Sequence, residues 1–204
     1  MSESIEHKIL KKIKKARRGT LFFPDSFAGI ATSKTAGKAL ERLVHSGELV
    51  RIASGIYTRP KEDPVIGIVY PDIDEISSAL ARRDKARIVP AGDYALYKIG
   101  LTSQVPLNAV FYTDGSARKV TIGKQVITFK RASARNVAAK GEVSKLAIQA
   151  LRIIGKDNAT PKLKMKIRTL LEKEKEWHLQ HDLKLAPAWI RKLLTATQRN
   201  EQHE

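Results

Sequence analysis

The chain predicts an α+β fold: a winged helix-turn-helix over residues 1–62, then an α/β region over 63–204 with a hairpin-rich sheet and a helical C-terminal tail. Three observations predict it. Apolar residues recur with a helical period from Ile5 to Ala16 and again from Ala36 to Val44. A glycine-bearing hairpin signal, Ala53-Ser54-Gly55, follows the second stretch. Further on, β-rich runs alternate with helical ones, without internal repeats or low-complexity segments.

In the first region, Ile5, Ile9 and Ile13 stand at i, i+4 and i+8, with Leu10 and Ala16 beside them. Lys8, Lys11, Lys12, Lys14 and Lys15 fill the other positions, so the helix is amphipathic with a lysine-rich outer face, ended by Gly19. "TLFF" (20–23) reads as a short buried strand, and Pro24-Asp25-Ser26 as the start of a short helix holding Phe27 and Ile30. "ATS" (31–33) reads as the turn, with Ser33 as the N-cap of the next helix. Ala36, Ala39, Leu40, Leu43 and Val44 form that helix's apolar stripe, and Gly47 occupies its C-terminal stop. "ELVRI" and "IYTRP" then flank the hairpin loop. "PKEDP" (60–64), with two prolines and three charges, reads as an interruption of regular structure and hence as the domain boundary.

In the second region "VIGIVY" (65–70) is strand-like, and Asp72 with Glu75 forms an Asp variant of a capping box opening a helix through Ala81. "RIVPAG" (87–92) reads as a turn, with Asp93 capping a helix that ends near Gly100. "AVFYT", "KVTI" and "VITFK" are strands, separated by hairpin signals at Asp114-Gly115 and Gly123-Lys124-Gln125. Val143–Ile154, 162–177 and 188–196 are helical, the second packing through Leu163, Ile167, Leu170 and Leu171.

Lys plus Arg number 38 against 21 Asp plus Glu, a formal charge of +17. Residues 1–62 carry 13 bases and 6 acids (+7), 63–160 carry 15 and 9 (+6), and 161–204 carry 10 and 6 (+4). Such an excess predicts a polyanionic partner, chiefly nucleic acid. The absence of Cys excludes disulfides, thiolate metal sites and Cys nucleophiles. With no signal-peptide pattern and no apolar run near the ~20 residues of a membrane span, a soluble cytoplasmic protein without a membrane partner is expected.

In a helix-turn-helix the second helix enters the major groove, its N-terminal half meeting bases. With the apolar stripe inward, Ser33, Lys34, Thr35, Gly37, Lys38 and Arg42 are the candidate DNA-binding residues of that helix. The hydroxyls and lysines suit phosphate and guanine acceptors. Gly37 costs roughly 1 kcal/mol against Ala in a helix, which calls for a compensating reason such as close approach of backbones. Arg51 and Arg59 lie on the two strands of the hairpin, where a wing meets the sugar-phosphate chain. Winged helices also serve as protein-binding modules.

Catalytic signals are thin. Asp72 and Asp74 could hold divalent cations for nucleotidyl transfer, but no Gly-Ser turn precedes them, and helix capping explains both acids. His178 and His181, at i, i+3, lack a completing ligand set and read as solvated; His7, His45 and His203 stand alone. No enzyme, cofactor or metal site is expected.

Residues 26–60, "SFAGIATSKTAGKALERLVHSGELVRIASGIYTRP", resemble the winged-helix head of AbiEi-type antitoxins through "ALERLV", "GELVR" and "GIY" before a Pro. "PAGDYALYKIGLTSQVP" (90–106) and "VFYTDGSARKVTIG" (110–123) resemble the second domain of DUF6088-like relatives of that family. The resemblance implies a bacterial type IV toxin–antitoxin system, in which the head represses its own promoter and the second domain counters a nucleotidyltransferase toxin. It places the recognition helix at Ser33 to Arg42 and the wing at Arg51 to Arg59. Ser54 departs from the basic residue that often precedes the family's wing glycine. The expected partners are therefore promoter duplex DNA, bound as monomer or homodimer, and a nucleotidyltransferase toxin. The alternative is an RNA-binding or ribosome-associated basic protein, in line with the even spread of charge.

Overall fold

A computed structural model of the chain describes residues 3–195. It is an α+β structure that divides into two compact units, Met1–Ala79 with Val120–Ile122, and Leu80–Lys119 with Gly123–Glu204.

The first unit begins with α1 (Ile5–Lys15), which Ser4 caps by accepting the His7 amide at 3.2 Å. Strand β1 (Leu21–Phe22), a short 3-10 helix (Pro24–Phe27) and α2 (Ser33–His45) follow. Strands β2 (Val50–Ala53) and β3 (Ile56–Thr58) complete a three-stranded sheet ordered β1-β3-β2, antiparallel throughout. Ala53 pairs with Ile56, so the turn holds only Ser54 and Gly55, and Gly55 takes φ 69°. Ile9, Ile13, Phe27, Ala36, Ala39 and Leu40 are at most 1% exposed and form the core with Phe22, Leu43, Leu49 and Tyr57. Each fully buried Ile or Leu contributes roughly 1.5–3 kcal/mol.

The end of α2 shows why Gly47 is needed there. The Glu48 amide donates to Leu43 O (3.0 Å) and the Gly47 amide to Val44 O (3.1 Å), closing the helix, with Gly47 in the left-handed region at φ 78°. At the other end the cap is Thr32, not Ser33. Thr32 is extended and its Oγ1 accepts the Thr35 amide at 3.3 Å, whereas Ser33 already belongs to the helix.

"PKEDP" does not interrupt regular structure as expected. Lys61–Asp63 is a strand (β4) paired antiparallel with β5 (Gly67–Val69). Asp63 Oδ1 accepts the amides of Val65 (2.9 Å) and Ile66 (3.2 Å), shaping the turn. The Asp72–Glu75 capping box forms at the start of α3 (Ile73–Arg83): Asp72 N donates to Glu75 Oε2 (2.9 Å), and Glu75 N to Asp72 Oδ1 (2.7 Å).

Strands β6 (Ile88–Ala91), β7 (Asn108–Thr113), β8 (Arg118–Ile122) and β9 (Gln125–Arg131) form a four-stranded sheet in the order β6-β7-β9-β8, all of it in the second unit except Val120–Ile122 of β8. "RIVPAG" is thus an edge strand and not a turn, and Pro90 is tolerated because an edge strand has one side that needs no N–H. Asp93 is not the cap of α4 (Gly92–Lys98); Ala91 holds that position without a side-chain bond.

The largest departure is at Asp114-Gly115, which closes no hairpin. β7 pairs in parallel with β9, which lies between β7 and β8. The Asp114 carboxylate turns instead to Arg87, accepting its amide (2.7 Å) and its Nε (2.8 Å), and these bonds hold the carboxyl below the usual range. A Cβ on Gly115 would stand 2.7 Å from that of Ala86, so no side chain fits there.

After a second 3-10 helix (Ala134–Val137), helices α5 (Glu142–Ile154), α6 (Pro161–Leu171), α7 (Glu176–Leu185) and α8 (Ala188–Thr195) bury Ala147, Leu151, Ile167 and Ile190 completely. The expected helix 162–177 stops at Leu171, although Ile167 and Leu171 are buried with Leu163 and Leu170 against them, as its pattern indicated. It breaks because Glu174 folds onto the start of α5, where its Oε2 accepts the amides of Val143 (2.8 Å) and Ser144 (3.1 Å). His178 and His181 are not solvated: each is partly buried, on Glu174 (3.2 Å) and Asp182 (2.8 Å) respectively. Residue 196 of the last expected helix, and His203, lie outside the described residues. No described helix is long and apolar enough to cross a membrane.

Candidate nucleic-acid interface

The apolar stripe of α2 packs inward and leaves its N-terminal half to solvent. Ser33, Lys34 and Lys38 are exposed, and Thr35 and Gly37 partly so. Lys34 and Lys38, one turn apart, make no ion pair or hydrogen bond with any described residue. Thr35 Oγ1 lies 3.0 Å from Thr32 Oγ1, so the exposed hydroxyls of the first turn cluster beside the amides that a helix start leaves unpaired. Thr32, not singled out from the sequence, belongs to this surface. Its position just before the helix was the available signal.

Gly37 has no packing reason to be glycine. A Cβ there would meet only Pro24 Cγ, at an ordinary 3.9 Å, so close approach within the fold does not explain it. Gly37→Ala is therefore expected to raise stability by about 0.5–1 kcal/mol, read as a higher urea midpoint with unchanged m-value.

The arginines are placed less simply. Arg42 donates to Glu6, tying α2 to α1, while its side chain stays 59% exposed. Arg51, on β2, lies 3.5 Å from Glu41 of α2. Burial first, and the charge of Glu41 next, push the Tyr57 phenol up. Glu41 thus links the helix to β2 of the hairpin.

Arg59 differs most from expectation. Its Nη1 donates to Lys14 O and Ala16 O, both at 2.9 Å, at the end of α1, where a cation suits the helix dipole. Its carbonyl accepts the Gly19 amide (2.8 Å), so it fastens α1 to β3 and does not join Arg51 as a second wing cation.

Among the described residues, no group of three or more His, Cys, Asp or Glu is arranged to hold a metal ion. The Asp72 carboxylate is engaged in its capping box.

No curated protein matches this chain. The crystal structure of the RV2827C protein from Mycobacterium tuberculosis is similar over 96% of this chain and 82% of that one. At 15% identity and a TM-score of 0.46, that likeness carries no argument about fold or function. Residues 8–179, most of the chain and all of the surface just described, match one family model, and the chain belongs to that family, DUF6088, a family of unknown function.

Proposed function

We propose that this protein binds duplex DNA through α2 and the β2–β3 hairpin, as a winged helix-turn-helix, and acts as an antitoxin-like repressor of its own promoter. The observation that carries the reading is the N-terminal half of α2. There two exposed, unpaired lysines flank a glycine that costs the fold stability and that nothing inside the fold requires.

A bare Gly37 lets a base edge or phosphate come close to the helix axis. Lys34 and Lys38 neutralise phosphate or reach guanine O6 and N7. Ser33, Thr32 and Thr35 supply hydroxyls, and the unpaired amides of the first turn favour an anion. Arg51, steadied by Glu41, is the wing's contact to the backbone. The resemblance to AbiEi-type heads extends the reading to a partner, a nucleotidyltransferase toxin countered through the second region, with the work done in the cytoplasm and no catalytic step.

Fluorescence titration of the duplex upstream of its own reading frame tests this. Lys34→Ala and Lys38→Ala are each expected to weaken binding. Each should also reduce the slope of log K against log salt by about 0.9 for every phosphate it no longer neutralises. If both variants keep the parent affinity and slope, α2 is not the reading helix. Displacement of the duplex by equimolar structured RNA would move the assignment to RNA.

A further inference from the structure

Nearly all buried hydrogen-bonding groups in folded proteins have partners, so an unpaired one at a concavity calls for a water, an ion or a ligand. Among the described residues such atoms are Arg118 Nε and Arg152 Nε, and the second stands beside another side chain that makes no hydrogen bond. Gln149 of α5 is 4% exposed, yet its side-chain amide bonds to no described residue. Arg152, one turn on, buries its Nε without a partner while its Nη2 donates to Asn136 Oδ1 at 3.0 Å.

Both line one open pocket together with Arg135, Asn136 and Lys145. Arg135 is fixed by the end of α7: its Nη2 donates to Lys184 O (2.8 Å) and its Nε contacts Leu185 O (3.4 Å), leaving Nη1 uncommitted. Lys145 pairs with Glu142 at 2.7 Å, but that carboxylate is 86% exposed and does not line the pocket.

Three cations therefore surround one concavity with no acid in its wall. Burial, together with the charge of Arg135, lowers the Arg152 pKa against an opposing effect of Tyr112. Lys145, Gln149 and Arg152 stand at i, i+4 and i+7, one face of α5, which holds them in register.

We propose that this pocket, between the second 3-10 helix and α5, binds a phosphoryl oxyanion. An oxyanion offers only acceptors, which suits a wall of N–H donors. A dianionic phosphate balances three cations better than a carboxylate does. Arg135 Nη1 and the Arg152 guanidinium carry the charge, the Gln149 amide supplies a neutral donor, and Asn136 holds Arg152 in place. The same acceptor oxygens are offered by a free phosphate or phosphomonoester, as a dianion, and by the phosphodiester of a nucleic acid, as a monoanion.

Calorimetric and thermal-shift titrations of the full chain test this, with inorganic phosphate against chloride and acetate at matched ionic strength. Phosphate is expected to bind saturably and raise the midpoint, and the other two to do neither. Arg152→Gln and the rim variant Arg135→Gln, each checked for folding by circular dichroism, are each expected to weaken phosphate at least about tenfold, about 1.4 kcal/mol. Gln149→Leu, which keeps the volume, should weaken it too. Displacement of phosphate by a nucleoside 5′-monophosphate but not by an unphosphorylated oligonucleotide supports the small-ligand source; displacement by both supports the phosphodiester source. Equal effects of chloride or acetate, or parent-like phosphate binding by both folded arginine variants, would overturn the proposal. Lys34→Ala should leave phosphate binding intact, so failure here is distinguishable from failure at α2.

Discussion

Asp182→Ala is expected to cost about 3 kcal/mol of stability, a large share of the 5–15 kcal/mol of an ordinary domain. Asp182 is 0% exposed and its two oxygens accept from Lys140 N (2.8 Å), Gly141 N (2.8 Å) and Ser144 Oγ (2.6 Å), with His181 Nδ1 at 2.8 Å. It caps α5 from α7, across some forty residues of chain. Removing the carboxylate leaves two amides and a hydroxyl without their acceptor, the Gly141 amide and the Ser144 hydroxyl in buried positions. Glycine at 141 belongs to the same arrangement, because a Cβ there would collide with Ser144 Oγ and the Glu174 carboxylate.

The same network sets an acid limit. Burial alone raises the Asp182 and Glu174 carboxyls, but the hydrogen bonds they accept outweigh it and leave both lowered, from 3.8 and 4.5. Groups lowered by folding add stability that is complete above their unfolded values and is lost as pH falls through the folded ones. Stability should therefore decline below about pH 4.5 in the parent and decline less in Asp182→Ala. Urea midpoints at pH 7 and at stepped acid pH read both effects. A variant as stable as the parent at pH 7 would refute the capping role.

Arg59→Ala is expected to lose about 2 kcal/mol of stability, and to bind duplex with the parent's salt slope under conditions where it is folded. Its guanidinium is spent on two carbonyls at the end of α1, and α1 carries Ile9 and Ile13 into the core. Without it the helix end frays and the join to β3 at Gly19 loosens. Lys34→Ala and Lys38→Ala should behave in the opposite way, within about 0.5 kcal/mol of the parent in stability because neither lysine has a partner to lose. Denaturation and salt titration of the three variants separate fold from the proposed DNA binding. A reduced slope for Arg59→Ala would instead make that arginine a phosphate ligand.

What the sequence alone determined is what neighbours within a few residues decide. Helical periodicity placed α1 and α2, Gly47 closed α2, and Asp72 with Glu75 opened α3, because caps and amphipathic faces are local equilibria between a backbone and side chains three or four positions away. The exposed face of α2, with Lys34 and Lys38, was legible for the same reason. Tertiary structure decided the rest. Arg59 reads in the sequence as a wing contact, and nothing there marks Glu174 or Asp182, yet each side chain ends on a helix terminus some thirty to forty-five residues away. The Asp114-Gly115 turn signal was real chemistry spent on Arg87, and the parallel pairing of β7 with β9 follows from long-range packing, not from the turn. Distant polar pairings leave no periodicity in a chain, since their partners are chosen by where the folded backbone brings unpaired groups together.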